Sequence, residues 1–578
     1  SFYEGVNNRA FNATPDDALI LNRTFKGDAT GIFTSLTTTS KHTENKLLSN
    51  AFFTGAVTEE KADYTLNYKG TAGTEDIRNT VVNFYTGNIR ATHTDISPED
   101  ALVLSRTFKG DATDLFASMT TVSKHAENKL LSDAFFTGEV TEEKADYTLN
   151  YKGTAGVEDI RNTVVNFYGS GIRATNINIS PDDALVLSRT FKGNAIGIFA
   201  DLTTTSKHTE NKLLSDAFFQ GAVSEEKADY TLNYKGVAGT ETIRNTVVSF
   251  YERDQRASAA TPDDALMLNR TFKGNAIGIF ADLTTTSKHT ENKLLSDAFF
   301  QGAVSEEKAD YTLNYKGVAG TETIRNTVVS FYERDQRASA ATPDDALMLN
   351  RTFKGNAIGI FADLTTTSKH TENKLLSDAF FQGAVSEEKA DYTLNYKGEA
   401  GLEGIRNTVV SFYEGDQRAF NATPDDALIL TRTFKGDATG VFASMTTVSK
   451  HAENKLLSDA FYAGAVTEEK ADYTLNYKGT AGTEDIRNTV VNFYGTGLRA
   501  THADVSPEDA LVLSRTFKGN AIGIFGALTT TSKHDTNKLL SDAFFTGEVT
   551  EEKADYTLNY KGTAGTEDIR NTVVNFYT

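Results

Sequence analysis

The 578-residue chain contains no cysteine. This absence excludes a disulfide framework, a cysteine-ligated zinc site and a cysteine nucleophile. Long apolar runs are absent too, since none approaches the ~20 residues that a membrane-spanning helix needs. The first residues do not have the pattern of a signal peptide, and Ser1 is not a methionine. We therefore predict no membrane span, and we expect the chain to be a processed product or a segment of something longer.

Positive charge is in short supply: 58 Lys and Arg stand against 78 Asp and Glu, a formal net charge of −20. Phosphate binding needs a basic face, so this balance predicts no nucleic-acid partner. The hydrophobic fraction of 39% is ordinary for a folded protein and too high for a disordered tail.

What the chain does have is repetition. The segment Lys69–Tyr85, KGTAGTEDIRNTVVNFY, recurs with small changes, and a proline stands 70 positions before each closing tyrosine. Every insertion and deletion falls in the joint between a tyrosine and the next proline. A packed fold tolerates such changes poorly, so the 71-residue unit is predicted to be the folded module and the joint a linker or edge element.

These boundaries predict seven modules, preceded at 1–14 by the end of an upstream module and a linker. The modules are 15–85, 98–168, 181–251, 262–332, 343–413, 424–494 and 507–577. Asn194–Gly274 is repeated without a change as Asn275–Gly355, which indicates recent tandem duplication. Neither end carries a polar capping repeat, so we expect the array to continue or neighbouring molecules to cover its ends.

The capping residues and glycines within a module predict a mainly α fold of about five short helices. Thr14-Pro15 has the pattern of an N-cap followed by proline at the first helical position, and Gly27 would end that helix. The other four predicted helix starts are Asp28, Ser40, Thr58 and Thr74. Tyr64, Leu66 and Tyr68 alternate as in a strand, and all-β modules are the alternative.

Candidate sites are few, and each has a plain structural interpretation. One histidine recurs per module without a second potential ligand of its type, which favours a helix-start or surface residue over a metal ligand. These histidines are His42, His125, His208, His289, His370, His451 and His534. We predict no catalytic, cofactor-binding or metal-binding residues and no cofactor.

Calcium is the one exception that we leave open to the prediction of no bound metal. The paired acids Asp16-Asp17 and Glu59-Glu60 could perform acid–base chemistry or hold calcium between modules, although a helix dipole also explains them. The segment Lys69–Glu75 is similar to a phosphate- or calcium-binding glycine loop but lacks the Walker spacing, which favours a simple turn. Candidate glycosylation sequons begin at Asn12, Asn22, Asn178, Asn269, Asn350 and Asn421.

Seven near-copies without a distinctive polar constellation predict a protein that is not an enzyme. We expect a structural repeat protein that forms or extends an extracellular filament, stalk or surface layer. Its partner would be another copy, joined head to tail or side by side. The alternative is a multivalent adhesin or ligand carrier with one binding site per module. Both hypotheses place the protein outside the cell or on its surface.

Overall fold

The computed structural model describes residues 1–5, 8–70, 72–385, 387–423, 426–464, 466–502, 504–505, 509–547, 549 and 552–577. It contains two compact units, Ser1–Asn292 and Lys293–Thr578. Within the described residues, the regular structure consists of 32 β-strands and ten short 3-10 helices. The predicted mainly α, helical modules are therefore wrong, and the all-β alternative is correct.

Four strands recur in each of seven repeats. The first strands are Leu19–Phe25, Leu102–Lys109, Leu185–Lys192, Leu266–Lys273, Leu347–Lys354, Leu428–Lys435 and Leu511–Lys518. The second strands are Leu47–Thr54, Leu130–Thr137, Leu213–Gln220, Leu294–Gln301, Leu375–Gln382, Leu456–Ala463 and Leu539–Thr546. The third strands are Lys61–Lys69, Lys144–Lys152, Lys227–Lys235, Lys308–Lys316, Lys389–Lys397, Lys470–Lys478 and Lys553–Lys561. The fourth strands are Asp76–Tyr85, Asp159–Tyr168, Thr242–Tyr251, Thr323–Tyr332, Gly404–Tyr413, Asp485–Tyr494 and Asp568–Val574.

Shorter elements lie between these strands. Two-residue strands are Phe2–Tyr3, Asn8–Arg9, Ile172–Arg173 and Leu498–Arg499. Short 3-10 helices follow the first strands at Thr30–Ile32, Thr113–Leu115, Ile196–Asp201, Ile277–Asp282, Ile358–Asp363, Thr439–Ser444 and Ile522–Ala527. Three more follow fourth strands at Glu252–Asp254, Glu333–Asp335 and Glu414–Asp416.

The predicted helix starts are turns because Ser, Thr, Asp and Gly end strands as readily as they cap helices. Thr58 has a φ of +70° and lies in the turn between the second and third strands. Ser40 and Thr74 likewise precede strands. Asp28 comes nearest to the prediction: its Oδ1 accepts a hydrogen bond from the Thr30 N–H at 2.9 Å, just before a single 3-10 turn.

All strands pair antiparallel, and the pairing continues through the joints. In the repeats that lie within one unit, each strand pairs with the next along the chain. The fourth strand of one repeat also pairs with the first strand of the following repeat, a contact that we call the seam. In the seam between the fourth and fifth repeats, Phe331 lies opposite Leu349 and Val329 opposite Arg351.

A joint is therefore a connection between two paired strands. The predicted module boundaries stay a prediction, because seam pairing resembles the pairing inside a repeat. Pro424 and Pro507, which open two of the predicted modules, lie outside the described residues.

One face of the sheet is covered by the segment between the first and second strands, which we call the covering segment. In the fifth repeat it spans residues 355–374 and includes the 3-10 helix Ile358–Asp363. Its Ile360 and Leu364 pack against Phe353 of the first strand and against Val329 and Phe331 of the preceding repeat. Each such core belongs to two successive repeats, so a repeat buries its apolar surface only with its neighbour.

Candidate functional site

A buried polar cluster fixes the covering segment to the sheet. In the sixth repeat, the Arg432 Nε donates to Asp459 Oδ1 at 2.8 Å, and both side chains are at most 4% exposed. The Arg432 Nη1 donates to the carbonyls of Thr446 and Ser449 in the covering segment, each at 2.7 Å. The Tyr477 hydroxyl donates to Asp459 Oδ2 at 2.9 Å. Burial raises the pKa of the Asp459 carboxyl, and the adjacent Arg432 opposes that rise.

The first repeat carries a natural variant of this cluster. Asn50 stands where the other repeats have aspartate. The Arg23 Nε donates to Asn50 Oδ1 at 2.9 Å, while Asn50 Nδ2 donates to the Tyr68 hydroxyl at 2.9 Å. The direction of the tyrosine hydrogen bond is thus reversed, and the cluster persists with a neutral amide. These contacts have an architectural role.

The recurring histidines lie in the covering segments, not at helix starts. In the sixth repeat, the His451 Nε2 is 2.9 Å from the Ser449 hydroxyl, and the ring packs edge-on against Phe434 at a centroid distance of 6.2 Å. Among the residues that the structure describes, no group of three or more His, Asp or Glu side chains could hold a metal ion.

The paired acids hold turns together. Asp17 Oδ2 accepts from the Thr14 N–H at 2.6 Å, and Glu60 Oε1 accepts from the Leu19 N–H at 2.9 Å. The glycine loop Lys69–Glu75 is the turn between the third and fourth strands, although its Thr71 lies outside the described residues. Glu75 is fully buried, and its Oε1 accepts from the Leu47 N–H at 2.7 Å.

The sequons fall into two groups. Asn12, Asn178 and Asn421 lie exposed in joints, whereas Asn22, Asn269 and Asn350 lie half-buried in first strands. Asn269 Oδ1 accepts from the Ser249 hydroxyl at 3.0 Å and Asn350 Oδ1 from the Ser330 hydroxyl at 2.9 Å. Hydrogen bonding across the seam therefore explains the asparagine in these two strand sequons. Glycosylation at all six positions stays a prediction.

This seam contact was missed from the sequence, although the copies contain a signal for it. In five of the six seams a serine faces an asparagine: Ser330 of a fourth strand has Asn350 as its partner, and Asn492 has Ser514. The two residue types exchange places and the hydrogen bond persists in these five, whereas Ser411 of the fifth seam lies opposite Thr431. Such covariation between copies would have indicated that fourth and first strands pair.

A clamp ties each joint across the seam. Arg418 of the joint contacts Asp391 of the preceding third strand, with nitrogen–oxygen distances of 2.7 and 2.6 Å. Its guanidinium also lies over the Phe442 ring of the following covering segment, 4.3 Å from the centroid. Phe442 packs edge-on against Tyr392 at 4.8 Å. The joint, which was predicted to be a linker or an edge element, is thus anchored to both repeats.

The face opposite the covering segments carries short polar side chains. In the fourth repeat, Asn314 Nδ2 on the third strand donates to Asn326 Oδ1 on the fourth strand at 2.9 Å. Lys354 lies directly opposite Asn326 on the next strand. Equivalent asparagine pairs recur between third and fourth strands, as at Asn395 and Asn407.

Charged residues separate between the two ends of the strands. Exposed Lys316, Arg325 and Lys354 lie where third strands end, fourth strands begin and first strands end; we call this row of strand ends the basic rim. The opposite ends, which carry the joints, form the joint rim, where Glu333 and Asp335 are exposed on either side of Arg334, which pairs with Asp345. Antiparallel pairing produces this separation, because it brings together residues that are up to about 40 positions apart in the chain.

A small cleft opens in the second repeat. Its volume is about 380 Å³, and its lining includes Leu104, Val122, Phe135 and Tyr147. Val122 is 83% exposed and is replaced by threonine in several repeats, as at Thr205. This apolar cleft is therefore not a shared property of the repeats.

No protein-family model and no curated protein matches the chain. Among solved structures, TcdB2-TccC3 without its hypervariable C-terminal region aligns with 98% of this chain and 24% of its own, at 11% identity and a TM-score of 0.13. The Photorhabdus luminescens Tc holotoxin pore with a TccC3 mutation aligns with 98% of this chain and 33% of its own, at 10% identity and a TM-score of 0.11. The chain thus spans only 24–33% of these two chains, and such low TM-scores carry no argument. Among the described residues, no helix is long and apolar enough to cross a membrane.

Proposed function

We propose that this tandem-repeat protein is a multivalent binding protein that presents one equivalent surface per repeat, as an adhesin or ligand carrier does. The observation that supports the proposal most directly is the repetition of exposed side chains. Lys316, Arg325 and Lys354 of the basic rim have identical counterparts in the next seam, Lys397, Arg406 and Lys435, which are also exposed. Other exposed positions differ between the copies, as at Thr323 and Gly404.

Strand geometry supports regular spacing of these surfaces. Neighbouring strands lie ~4.8 Å apart, so four strands place equivalent residues of adjacent repeats on the order of 19 Å apart. Several weak contacts made at once by a polymeric ligand raise affinity by roughly 10²- to 10⁴-fold over one contact. We propose that the protein acts outside the cell or on its surface, where extended polymers are available as ligands.

Avidity provides the test. The full chain is immobilised sparsely and exposed to neutral, carboxylated and sulfated glycans, each supplied both as a short oligomer and as a long polymer. We expect at least one polymer to bind 100-fold or more tightly than its oligomer. The absence of any glycan that shows this difference would contradict the proposal.

Self-assembly into a filament is a second candidate, and one observation favours it. Val82 and Val165 on fourth strands are fully buried against the following repeat. The same contact, made between two copies of the chain instead of between two repeats, could join molecules to one another. Sedimentation velocity across a hundredfold concentration range tests this, and a monomer at every concentration would exclude it.

A further inference from the structure

The turns that join third and fourth strands carry exposed aliphatic side chains. Val318 in the fourth repeat is 74% exposed and Leu402 in the fifth repeat is 79% exposed, and both lie in the unit Lys293–Thr578. In the other unit, Val157 and Val237 are 70% and 74% exposed in the corresponding turns. The second, third, fourth and fifth repeats therefore each extend one aliphatic side chain from this turn.

The turn itself does not require an aliphatic residue. The Thr321 N–H donates to the Val318 carbonyl at 3.1 Å, and in the sixth repeat the Thr483 N–H donates to the Thr480 carbonyl at the same distance. Threonine occupies both of these turn positions in the first, sixth and seventh repeats. In the fifth repeat the aliphatic residue, Leu402, stands at the second position instead of the first. Neither the turn geometry nor packing accounts for these exposed side chains.

Six exposed cations lie at the same end of the strands as Val318 and Leu402. Lys316 lies opposite Thr323 at the base of the Val318 turn, and the Gly355 N–H donates to the Arg325 carbonyl at 2.9 Å on the next strand. The exposed cations at this seam and the next are Lys316, Arg325, Lys354, Lys397, Arg406 and Lys435. The exposed carboxylates beside them in this unit are Glu372, Glu399 and Asp437. The basic rim therefore keeps a positive balance around both aliphatic turns.

The negative charge of the joints lies far from this surface. The fourth strand Thr323–Tyr332 has 10 residues. At ~3.3 Å per residue it places Glu333 roughly 30 Å from Thr323. Exposed charges are screened over about 8 Å at physiological salt. The net charge of −20 therefore does not determine which partner the basic rim attracts.

We propose that the basic rim of the unit Lys293–Thr578 binds an anionic lipid surface, with Val318 and Leu402 inserted between the lipid headgroups. This inference rests on the proposed multivalent function and names its partner. Aliphatic side chains gain free energy when they leave water for the boundary of the acyl chains. Each Lys or Arg near an anionic membrane adds an attraction to the lipid phosphates. A bilayer matches both features, because it offers apolar depth and negative charge over an extended area.

Two other partners match only part of this surface. A soluble acidic polymer would contact the cations but would leave the aliphatic turns in water. The same rim of a second copy would offer apolar contacts, but its lysines and arginines would repel those of the first. Both partners are outcomes of the experiments below.

The chain contains no tryptophan, so a single introduced tryptophan reports only on its own position. V318W and L402W place an indole in the two turns. The matched control is V448W, because Val448 is 83% exposed in the covering segment of the sixth repeat. Its counterpart Val122 lines a cleft with Thr175 of a joint, which places this position toward the joint rim.

The probes are vesicles of phosphatidylcholine alone and of equal parts phosphatidylcholine and phosphatidylglycerol. With the mixed vesicles, we expect the emission of V318W and L402W to shift to shorter wavelength and to be quenched by brominated acyl chains. V448W should keep its emission, and vesicles of phosphatidylcholine alone should change none of the three. Unchanged emission of V318W and L402W with the mixed vesicles would overturn the inference.

Affinity for the mixed vesicles supplies a second measurement. V318T/L402T gives both turns the threonine of the sixth repeat and should bind roughly tenfold more weakly, since it removes apolar surface. K316Q/R325Q/K354Q should bind about 100-fold more weakly, at about fivefold for each cation. The control V448T should remain within about twofold of the original protein.

The reverse variant, T480V, adds an aliphatic side chain to the sixth repeat beside the exposed cations Lys478 and Arg487 and should strengthen binding. Loss of vesicle binding in K316Q/R325Q/K354Q with no loss in V318T/L402T would assign the rim to a soluble acidic polymer and overturn the inference. Association of the chain without vesicles, abolished by V318T/L402T, would assign the turns to a second copy and overturn it as well. If a glycan polymer binds with avidity while no vesicle binds, the multivalent function stands and only the lipid partner is refuted.

Discussion

Removing the buried carboxylate of the sixth repeat should release its covering segment. Asp459 is 3% exposed and holds both Arg432 and Tyr477, while Arg432 holds two carbonyls of the covering segment. D459A leaves the arginine charge buried without its carboxylate, and breaking such a pair costs about 3–5 kcal/mol. D459N should cost about 1–2 kcal/mol, because Asn50 shows that an amide can keep the arginine and tyrosine contacts.

Hydrogen exchange read by mass spectrometry is the suitable assay, because a repeat array need not unfold in one step. The peptide 436–455 contains the covering segment and differs in sequence from its counterpart 110–129 in the second repeat. At about 1.4 kcal/mol per tenfold, D459A should accelerate exchange in 436–455 by roughly 100- to 5000-fold and D459N by roughly 5- to 30-fold.

The counterpart peptide 110–129 is the internal control and should exchange as before. Equal acceleration by D459A and D459N would refute the argument that the cost comes from an unpaired buried charge. Equal acceleration in both peptides would refute local release, since it would mean that the whole chain had lost stability.

Three further predictions concern the seams and turns. Burial, with the nearby charge of Asp391, raises the pKa of Tyr413 from 10.0 to about 12, so the stability that its neutral form supplies is present below pH 10 and lost between pH 10 and 12. Absorbance at 295 nm should therefore show tyrosines that ionise only with alkaline unfolding. Complete ionisation near pH 10 in folded protein would contradict this prediction. R418A removes the contacts to Asp391 and Phe442 and should destabilise the seam between the fifth and sixth repeats by about 2–4 kcal/mol. The loss should appear as faster hydrogen exchange in Leu428–Lys435, with R418K intermediate. Unchanged exchange would show that the joint stays in place without its clamp. G464A places a Cβ 2.6 Å from the Glu468 carbonyl at a φ of +129° and should lower the free energy of unfolding by about 1–3 kcal/mol, measured by thermal unfolding. G440A, whose Cβ would have nothing within 4 Å, should be nearly neutral. Equal effects of the two variants would count against strain in the turn.

The repeats could be recognised from the sequence because duplicated segments keep similar residues at equivalent positions. The alternation at Tyr64, Leu66 and Tyr68 likewise indicated a strand, and that indication was correct. The helix prediction failed because it relied on residue types that commonly begin or end helices. Thr58 and Gly27 mark turns with positive φ in this fold, and the same residue types also flank helices.

The sequence by itself determined that one unit is used seven times and that length changes are confined to the joints. Only the tertiary structure decided which residues share a surface. Lys316, Arg325 and Lys354 are separated by 9 and 29 positions, and they meet at one rim because antiparallel strands return the chain to the same end. The joints lie at the opposite rim for the same reason, and there acids such as Glu333 and Asp335 stand beside Arg334. A chain with a net charge of −20 thereby obtains a cationic surface that its composition conceals.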